Sequence, residues 1–166
     1  MTGDGRDGPD RPGALDDGDT SVTGSVDIRV PLHADYLHLT RLAAEFVALK
    51  LSMNFDGTED LRLAVDELCS LLLEMGQGSE STLAIAYVWD EHEVEVSCTL
   101  DCGPAVPGIT PERLAEIRRP QRGEMSELTP AAISDLILEA VADEHGFRAE
   151  AGVVVGWLRK SRHAVG

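Results

Sequence analysis

The spacing of apolar residues predicts a strand followed by a long helix in the first third of the chain. Val26, Ile28 and Val30 alternate with polar residues, as in a strand with one buried face, and Pro31 closes that strand. From about residue 34 to 53, apolar residues recur at steps of three and four and draw one stripe along a helix. We expect this stripe to be buried; its members are Tyr36, Leu39, Leu42, Ala43, Phe46, Leu49 and Met53.

A second helix is predicted to follow directly. Asp56 and Glu59 have the spacing of a capping box, in which each side chain satisfies a free backbone donor, so the helix should begin there. Gly76 and Gly78 mark its end. The expected buried face consists of Leu61, Ala64, Val65, Leu68, Leu71, Leu72 and Met75.

The second half of the chain predicts two hairpins with helices between them. Thr110 and Thr129 are each followed by proline, which is the pattern of a helix N-cap with proline at the first helical position. The predicted elements are strands 82–90 and 93–100, a loop at 101–108, helices 111–118 and 130–144 joined by a mobile segment at 118–128, and a closing hairpin of strands 147–150 and 152–160. Val153, Val155 and Trp157 are expected to share one face.

This order of elements indicates an α+β two-layer sandwich, in which helices cover one face of a mixed, mostly antiparallel sheet. The length of 166 residues suits one such domain, which we place at residues 25–160. Residues 1–24 are rich in Gly, Asp and Pro and poor in large apolar side chains, so we expect a disordered acidic tail. A short second tail is expected at residues 161–166.

Charge and cysteine content narrow the function classes. A formal net charge of −16 argues against direct nucleic-acid binding, which needs clustered Lys and Arg. No signal peptide and no apolar run long enough for a membrane helix is present in the sequence. Cys69, Cys98 and Cys102 are odd in number and match no standard zinc spacing, even with His92, so we expect a reduced cytoplasmic protein without a metal site.

Three segments resemble one bacterial family. The segments VDIRVP at 26–31, YLHLTRL at 36–42 and EDLRLAVDE at 59–67 are similar to the first strand and the first two helices of the anti-sigma-factor serine kinases. These are RsbW-like members of the GHKL superfamily, with the Bergerat or histidine-kinase-like ATPase fold. The resemblance covers roughly residues 25–160 and implies that fold for this chain.

The resemblance also implies an ATP site in which several positions have changed. In the family, a glutamate on the second helix activates the attacking hydroxyl, and an asparagine four residues later binds magnesium. Glu67 stands at the first position and Leu71 at the second, and leucine has no oxygen with which to ligate a hard cation. Glu67 is therefore either a vestigial general base or an ordinary solvated carboxylate.

Two glycine motifs of the family are eroded as well. Asp101 and Gly103 match the aspartate and the first glycine of the adenine-binding motif, but Ala105 replaces the second glycine. Ala132 and Ser134 stand where the family has the glycines that cradle phosphates at the start of the last long helix. Asp135 and Glu139 add negative charge that would repel phosphate.

The partner-binding surface of the family includes an arginine on the first helix, and Arg41 aligns with it, between Thr40 and Glu45 in the expected contact region. A guanidinium offers a planar fork of donors that matches a carboxylate. The simpler alternative for Arg41 is an exposed residue that pairs with Glu45 one helical turn later.

The leading hypothesis is a degenerate actinobacterial anti-sigma factor of a stress- or development-type sigma factor, released by a STAS-type anti-anti-sigma partner through partner exchange. ATP or ADP with magnesium is implied by the resemblance but not supported by the altered motifs. Two alternatives stay open: an active serine kinase acting on the anti-anti-sigma protein, and a pseudoenzyme sensor of another nucleotide. Family members often form homodimers, and the sequence identifies no dimer face.

Overall fold

The computed structural model describes residues 23–76, 81–101, 129–150 and 152–162. These residues form one five-stranded sheet and a layer of helices. The elements are β1 (Gly24–Pro31), a short 3-10 turn (Ala34–Tyr36), α1 (Leu37–Lys50), α2 (Phe55–Met75), β2 (Thr82–Trp89), β3 (Glu93–Asp101), α3 (Pro130–Val141), β4 (Glu144–Glu150) and β5 (Val153–Ser161).

The sheet has the strand order β1-β2-β3-β5-β4, and each of these pairings is antiparallel. The expected α+β two-layer class is confirmed, although no parallel pairing occurs among the described strands. Strand β5 lies between β3 and β4, so the closing hairpin joins the sheet through its second strand. At the contact with α2, a Cβ on Gly156 would come within 2.7 Å of Leu68 Cδ1 and of Phe147 Cε1. The absence of a side chain at Gly156 therefore lets the helix approach the sheet.

Helix α2 forms the centre of the core, as its apolar pattern predicts. Leu61, Leu68, Leu71 and Leu72 are fully buried. The helix begins earlier than the predicted capping box: Asn54 is the N-cap, and its side chain accepts a hydrogen bond from the Gly57 backbone nitrogen at 2.7 Å. The predicted start at Asp56 is therefore wrong, because the side chain of Asn54 already caps the helix two residues earlier. Gly76 ends the helix as expected.

The predicted boundaries of the last helix and hairpin need one correction. Thr129 caps α3 as expected, since its Oγ1 accepts a hydrogen bond from the Ala132 nitrogen at 3.3 Å. The helix ends at Val141 rather than at residue 144, because Glu144 already pairs with Arg159 as the first residue of β4. The predicted trio Val153, Val155 and Trp157 is half-buried on the open side of β5, while Val154 and Leu158 enter the core.

The prediction that the whole apolar stripe of α1 is buried is wrong for this chain. The side of α1 that packs into the core carries Thr40, Ala44, Val47 and Ala48, which are small or β-branched. The larger residues of the stripe remain exposed: Tyr36, Leu39, Leu42, Phe46 and Leu49. A narrow strip of small residues is enough for a helix to approach a sheet and a neighbouring helix closely. Apolar periodicity alone therefore predicted the strip of large residues as the buried one, whereas the strip of small residues faces inward.

Several predictions fall outside the described residues. These are the tail up to residue 22, the loop from residue 102, the helix at 111–118, the segment at 118–128, Cys102, Gly103, Ala105, and the last four residues, 163–166. Among the helices that the structure does describe, none is long and apolar enough to cross a membrane.

Candidate functional site

Glu67, to which the family resemblance assigns the role of a general base, accepts a hydrogen bond from another side chain of the protein. Glu67 is half-buried on α2, and its Oε2 accepts a hydrogen bond of 2.5 Å from the hydroxyl of Ser134 on α3. Ser134 is buried in the first turns of α3, next to the buried Ala132. The structure therefore brings together two predicted site residues, Glu67 and Ser134, across the contact between α2 and α3.

The residues around Glu67 do not fit a magnesium site of the expected kind. Leu71 lies one turn further along α2, is 1% exposed and belongs to the apolar core. It offers no oxygen to a cation that requires near-octahedral oxygen coordination. Ala132 likewise contributes a methyl group where a glycine would leave room for a phosphate.

Asp101 lies apart from this pair. It is the exposed last residue of β3, and the alternation of that strand puts it on the same face as Thr99, whereas Leu100 points to the helix layer. Its partners in the adjacent strands are Thr82 and Val153. The two remaining positions of the adenine-binding motif, Gly103 and Ala105, lie outside the described residues.

A buried lysine that the sequence did not single out ties the other end of α3 to α2. Lys160 of β5 donates from its ammonium to Asp60 Oδ2 at 2.9 Å and to the backbone oxygen of Val141 at 2.8 Å. Asp60 and Glu67 are seven residues apart and so lie on one face of α2. Through this face, Glu67 binds Ser134 near the start of α3. Asp60 binds Lys160, which in turn binds the backbone oxygen of Val141 at the end of α3.

The exposed side of α1 presents a second candidate surface. Arg41 forms a bidentate ion pair with Asp66 of α2, with Nε to Oδ1 at 2.8 Å and Nη2 to Oδ2 at 2.6 Å. Glu45 instead pairs with Arg62, at 3.0 Å. The predicted alternative of an Arg41–Glu45 pair within α1 is therefore wrong, because α2 supplies better-placed partners to both residues.

Thr40, the third residue of the predicted contact region, has no side-chain surface to offer. It is 0% exposed; its hydroxyl donates to the Leu37 oxygen at 2.7 Å, and its own backbone oxygen accepts from the Tyr87 hydroxyl at 2.7 Å. Burial, followed by the nearby Cys69 and Cys98, raises the pKa of Tyr87 well above its ordinary value. The phenol therefore stays protonated and remains a donor that ties α1 to β2.

Beside Arg41 runs the apolar stripe of α1, which the described residues leave uncovered. Leu42 is 56% exposed, Phe46 45% and Leu49 77%. Phe46 is fixed on one side by an edge-on contact with Trp89, at 6.4 Å between ring centroids, and the Lys50 ammonium lies 5.3 Å from its ring centroid. A contiguous exposed apolar strip with charged residues at its rim is typical of a protein-binding surface.

Two residues of these surfaces, Asp66 and Lys160, were not predicted as functional or structural sites. Asp66 lies next to Glu67 in the sequence, and helical geometry alone already turns its side chain away from that of Glu67. Its partner Arg41 is 25 residues distant, so no local pattern reveals the pair. By the alternation of β5, position 160 lies on the inward-facing side of the strand. A lysine at such a position was the available sequence signal for a buried cation.

Comparison with known proteins relates the chain to one group of kinases. It is 22% identical over 148 residues to the serine-protein kinase RsbW of Bacillus velezensis, an alignment that covers 81% of this chain and 84% of that protein. It is 23% identical over 75 residues to the serine-protein kinase RsbW of Halalkalibacterium halodurans, which covers 45% of this chain and 46% of that protein. No protein-family model matches the chain.

The fold has a solved counterpart. The crystal structure of the RsbU and RsbW domains of a Mycobacterium tuberculosis protein superposes with a TM-score of 0.57 at 14% identity, over 86% of this chain and 34% of that longer chain. The structural match confirms the expected fold. Together with the two sequence matches, it confirms the resemblance to RsbW-like anti-sigma-factor kinases that the motifs indicate.

Proposed function

We propose that this RsbW-like chain is a cytoplasmic anti-sigma factor that works by binding rather than by phosphate transfer. In this proposal α1 docks on a sigma factor and keeps it from RNA polymerase. A STAS-type anti-anti-sigma protein competes for the same surface and releases the sigma factor by mass action. Stress or developmental control of the sigma factor would then depend on how much competitor is available.

The observation that carries this proposal is the exposed apolar stripe of α1 with Arg41 at its rim. Leu42, Phe46 and Leu49 present large apolar side chains that would normally be buried, and the chain itself does not cover them with its described residues. Fully burying an exposed side chain of this size is favourable by roughly 1.5–3 kcal/mol, and each of these three would contribute the share of that which corresponds to its exposed part. Arg41 adds a group that selects a carboxylate on that partner.

The altered nucleotide motifs support action without phosphate transfer. Phosphoryl transfer depends on positioned phosphates and on a cation that neutralises their charge. Leu71 is a core residue without a ligand atom, and the hydroxyl of Ser134 already occupies one oxygen of Glu67. No nucleotide or metal is required for the occlusion mechanism.

Titration of the purified protein with sigma factors and anti-anti-sigma proteins from its own genome tests the proposal. Leu42→Glu and Leu49→Glu should each weaken sigma-factor binding by about 10-fold or more, since each puts a charge into an apolar contact. Leu136→Glu is the matched control, because Leu136 is 52% exposed on α3, away from the stripe. If no sigma factor binds, or if all three variants behave alike, the proposal is wrong.

A second copy of the chain could cover the same stripe, and sedimentation distinguishes this outcome. A homodimer through α1 would dissociate in the Leu49→Glu variant and would compete with the sigma factor. A dimer that persists in this variant, while sigma-factor binding is lost, uses another face and leaves the proposal intact.

The second candidate is an active serine kinase, favoured by the retained Glu67 and by the name of both sequence relatives, serine-protein kinase. Incubation with labelled ATP, magnesium and each candidate anti-anti-sigma protein decides between the two. Phosphate transfer that is lost in Glu67→Ala would establish the kinase and overturn the binding-only mechanism.

A further inference from the structure

We propose that Asp66 is a positioning residue for partner binding: it holds the side-on edge of the Arg41 guanidinium so that the adjacent, end-on edge receives a carboxylate of the partner. The proposal rests on the proposed function, in which the outer side of α1 docks on another protein. It adds a residue of α2 to that docking surface and states the chemistry that this residue prepares.

The geometry of the ion pair carries the proposal. Asp66 accepts from Nε at 2.8 Å and from Nη2 at 2.6 Å, which is the side-on edge of the guanidinium. This arrangement engages two of the five N–H donors of arginine. Of the remaining three, one N–H on Nη1 and one on Nη2 form the end-on edge, and none of the three is hydrogen-bonded to a residue that the structure describes. That edge has the spacing for a second bidentate carboxylate.

Exposure agrees with this division of the two edges. The Arg41 side chain is 45% exposed, whereas Asp66 is only 22% exposed, so the carboxylate lies on the inner side of the pair and the guanidinium on the outer side. Arg41 directly precedes Leu42 of the apolar stripe. In the proposal, the end-on edge meets the partner at the rim of this stripe.

Two arginines line the groove between α1 and α2, and Arg41 is the more exposed of them, at 45% against 34% for Arg62. An open groove of about 320 Å³ between α1 and α2 is lined by Arg41, Glu59, Asp60, Arg62, Leu63 and Asp66. Arg62 is shared between Glu45 and Glu59, and Asp60 is paired with the buried Lys160. Arg62 thus lies between two carboxylates, whereas Arg41 contacts one and keeps its end-on edge for an incoming carboxylate.

A fixed guanidinium binds more tightly than a mobile one, because the side-chain entropy is lost before the partner arrives. Ordering one long side chain at an interface weakens binding by roughly 2- to 10-fold. Asp66 also weakens the positive potential that a partner carboxylate meets. The two effects have opposite signs, and the proposal is that positioning dominates: removing Asp66 loosens the complex instead of tightening it.

The test is a double-mutant cycle with the sigma factor that binds the wild-type protein. Asp66→Asn keeps the size of the side chain but removes one of the two accepting oxygens, and it should raise the Kd by about 3- to 10-fold. In an Arg41→Ala background the same change should have no effect, since the group that it positions is gone. Glu59→Gln is the control, because it removes one negative charge from the same groove without touching Arg41. It should leave the Kd within about 2-fold of wild type.

A second readout does not depend on the partner. In the wild-type protein, NMR should show the Arg41 Nε–H as a distinct, slowly exchanging signal with restricted side-chain motion, and Asp66→Asn should abolish both features. Equal or tighter binding by Asp66→Asn, or an unrestricted Arg41 in wild type, overturns the positioning role and leaves the proposed function standing. Failure of the wild-type protein to bind any candidate contradicts the proposed function itself, and the positioning proposal with it.

Discussion

The hydroxyl of Ser134 donates a 2.5 Å hydrogen bond to Oε2 of Glu67, and this bond joins α3 to α2 at the position where the family resemblance implies catalysis. A carboxylate that accepts such a bond serves as a structural acceptor as well as a candidate base. Ser134 stands where the resemblance implies a phosphate-cradling glycine. Its side chain fills the space that a glycine would leave for a phosphate, and its hydroxyl binds Glu67.

Ser134→Ala should therefore destabilise the protein, by about 1.5–3 kcal/mol, since a hydrogen bond to a charged acceptor is lost. Urea unfolding followed by circular dichroism measures this change. Glu67→Gln keeps an accepting oxygen for Ser134 and should cost less than Ser134→Ala. The opposite order, or no effect of Ser134→Ala, would show that the bond contributes nothing to the α2–α3 contact.

Leu71→Asn, which restores the residue type expected by resemblance, should lower the free energy of unfolding by about 2–5 kcal/mol. Leu71 is 1% exposed, so the substitution both removes apolar packing and buries an amide without partners. Leu63→Asn on the same helix is the control, because Leu63 is 42% exposed and should change stability by only about 0.5 kcal/mol. A stable Leu71→Asn protein would mean that position 71 opens towards a polar pocket.

The ion pair between Lys160 and Asp60 should respond asymmetrically to mutation. The lysine side chain is 5% exposed and the aspartate 39% exposed, so Asp60→Asn leaves a charge buried, whereas Lys160→Met leaves a carboxylate that water can reach. We expect Asp60→Asn to destabilise by about 2–3 kcal/mol and Lys160→Met by about 1 kcal/mol. Chemical denaturation of both variants checks the order, and equal losses would contradict the burial argument.

Acid should weaken the β2–β3 hairpin through Asp90. Its carboxylate accepts hydrogen bonds from the backbone nitrogens of His92 at 2.7 Å and Glu93 at 3.0 Å, and these bonds lower its pKa below the ordinary 3.8. A carboxyl whose pKa is lower in the folded state stabilises the fold above the unfolded-state pKa, and this contribution is lost as pH falls through the folded value.

The stabilisation should thus be intact above about pH 5 and fade below pH 4. NMR titration of the Asp90 carboxyl measures the shift directly. Asp90→Asn is the control, because it retains an acceptor but does not titrate, and its hairpin amides should show no such pH dependence. A midpoint at or above the ordinary aspartate value would refute the assignment.

The sequence was sufficient for the order of the elements that the structure describes and for the core face of α2, where apolar spacing and burial coincide over 21 residues. It was not sufficient for α1, because small residues such as Ala44 and Ala48 pack inward while larger ones remain outside. Periodicity reports that a helix has an apolar side, and packing decides which neighbouring strip is used.

For the candidate site, motif comparison identified Glu67 and Ser134 but could not predict that they bond to each other, 67 residues apart. The pairing of Arg41 with Asp66 was not predicted for the same reason. Long-range side-chain contacts depend on how α1 and α2 pack, and no local sequence pattern encodes this packing. Helical spacing offered only Glu45 as a partner for Arg41, and tertiary contact overrode it.

The place of β5 inside the sheet has a consequence for synthesis on the ribosome. Strand β3 pairs along its whole length with β5, from Glu93 with Ser161 to Asp101 with Val153, so its outer edge stays open until residue 161 has emerged. Contacts that span about 60 residues form late and expose an unpaired edge in the meantime. A nascent or prematurely terminated chain would present β1, β2 and β3 as an aggregation-prone ribbon, and folding would complete only after β5 has been inserted between β3 and β4.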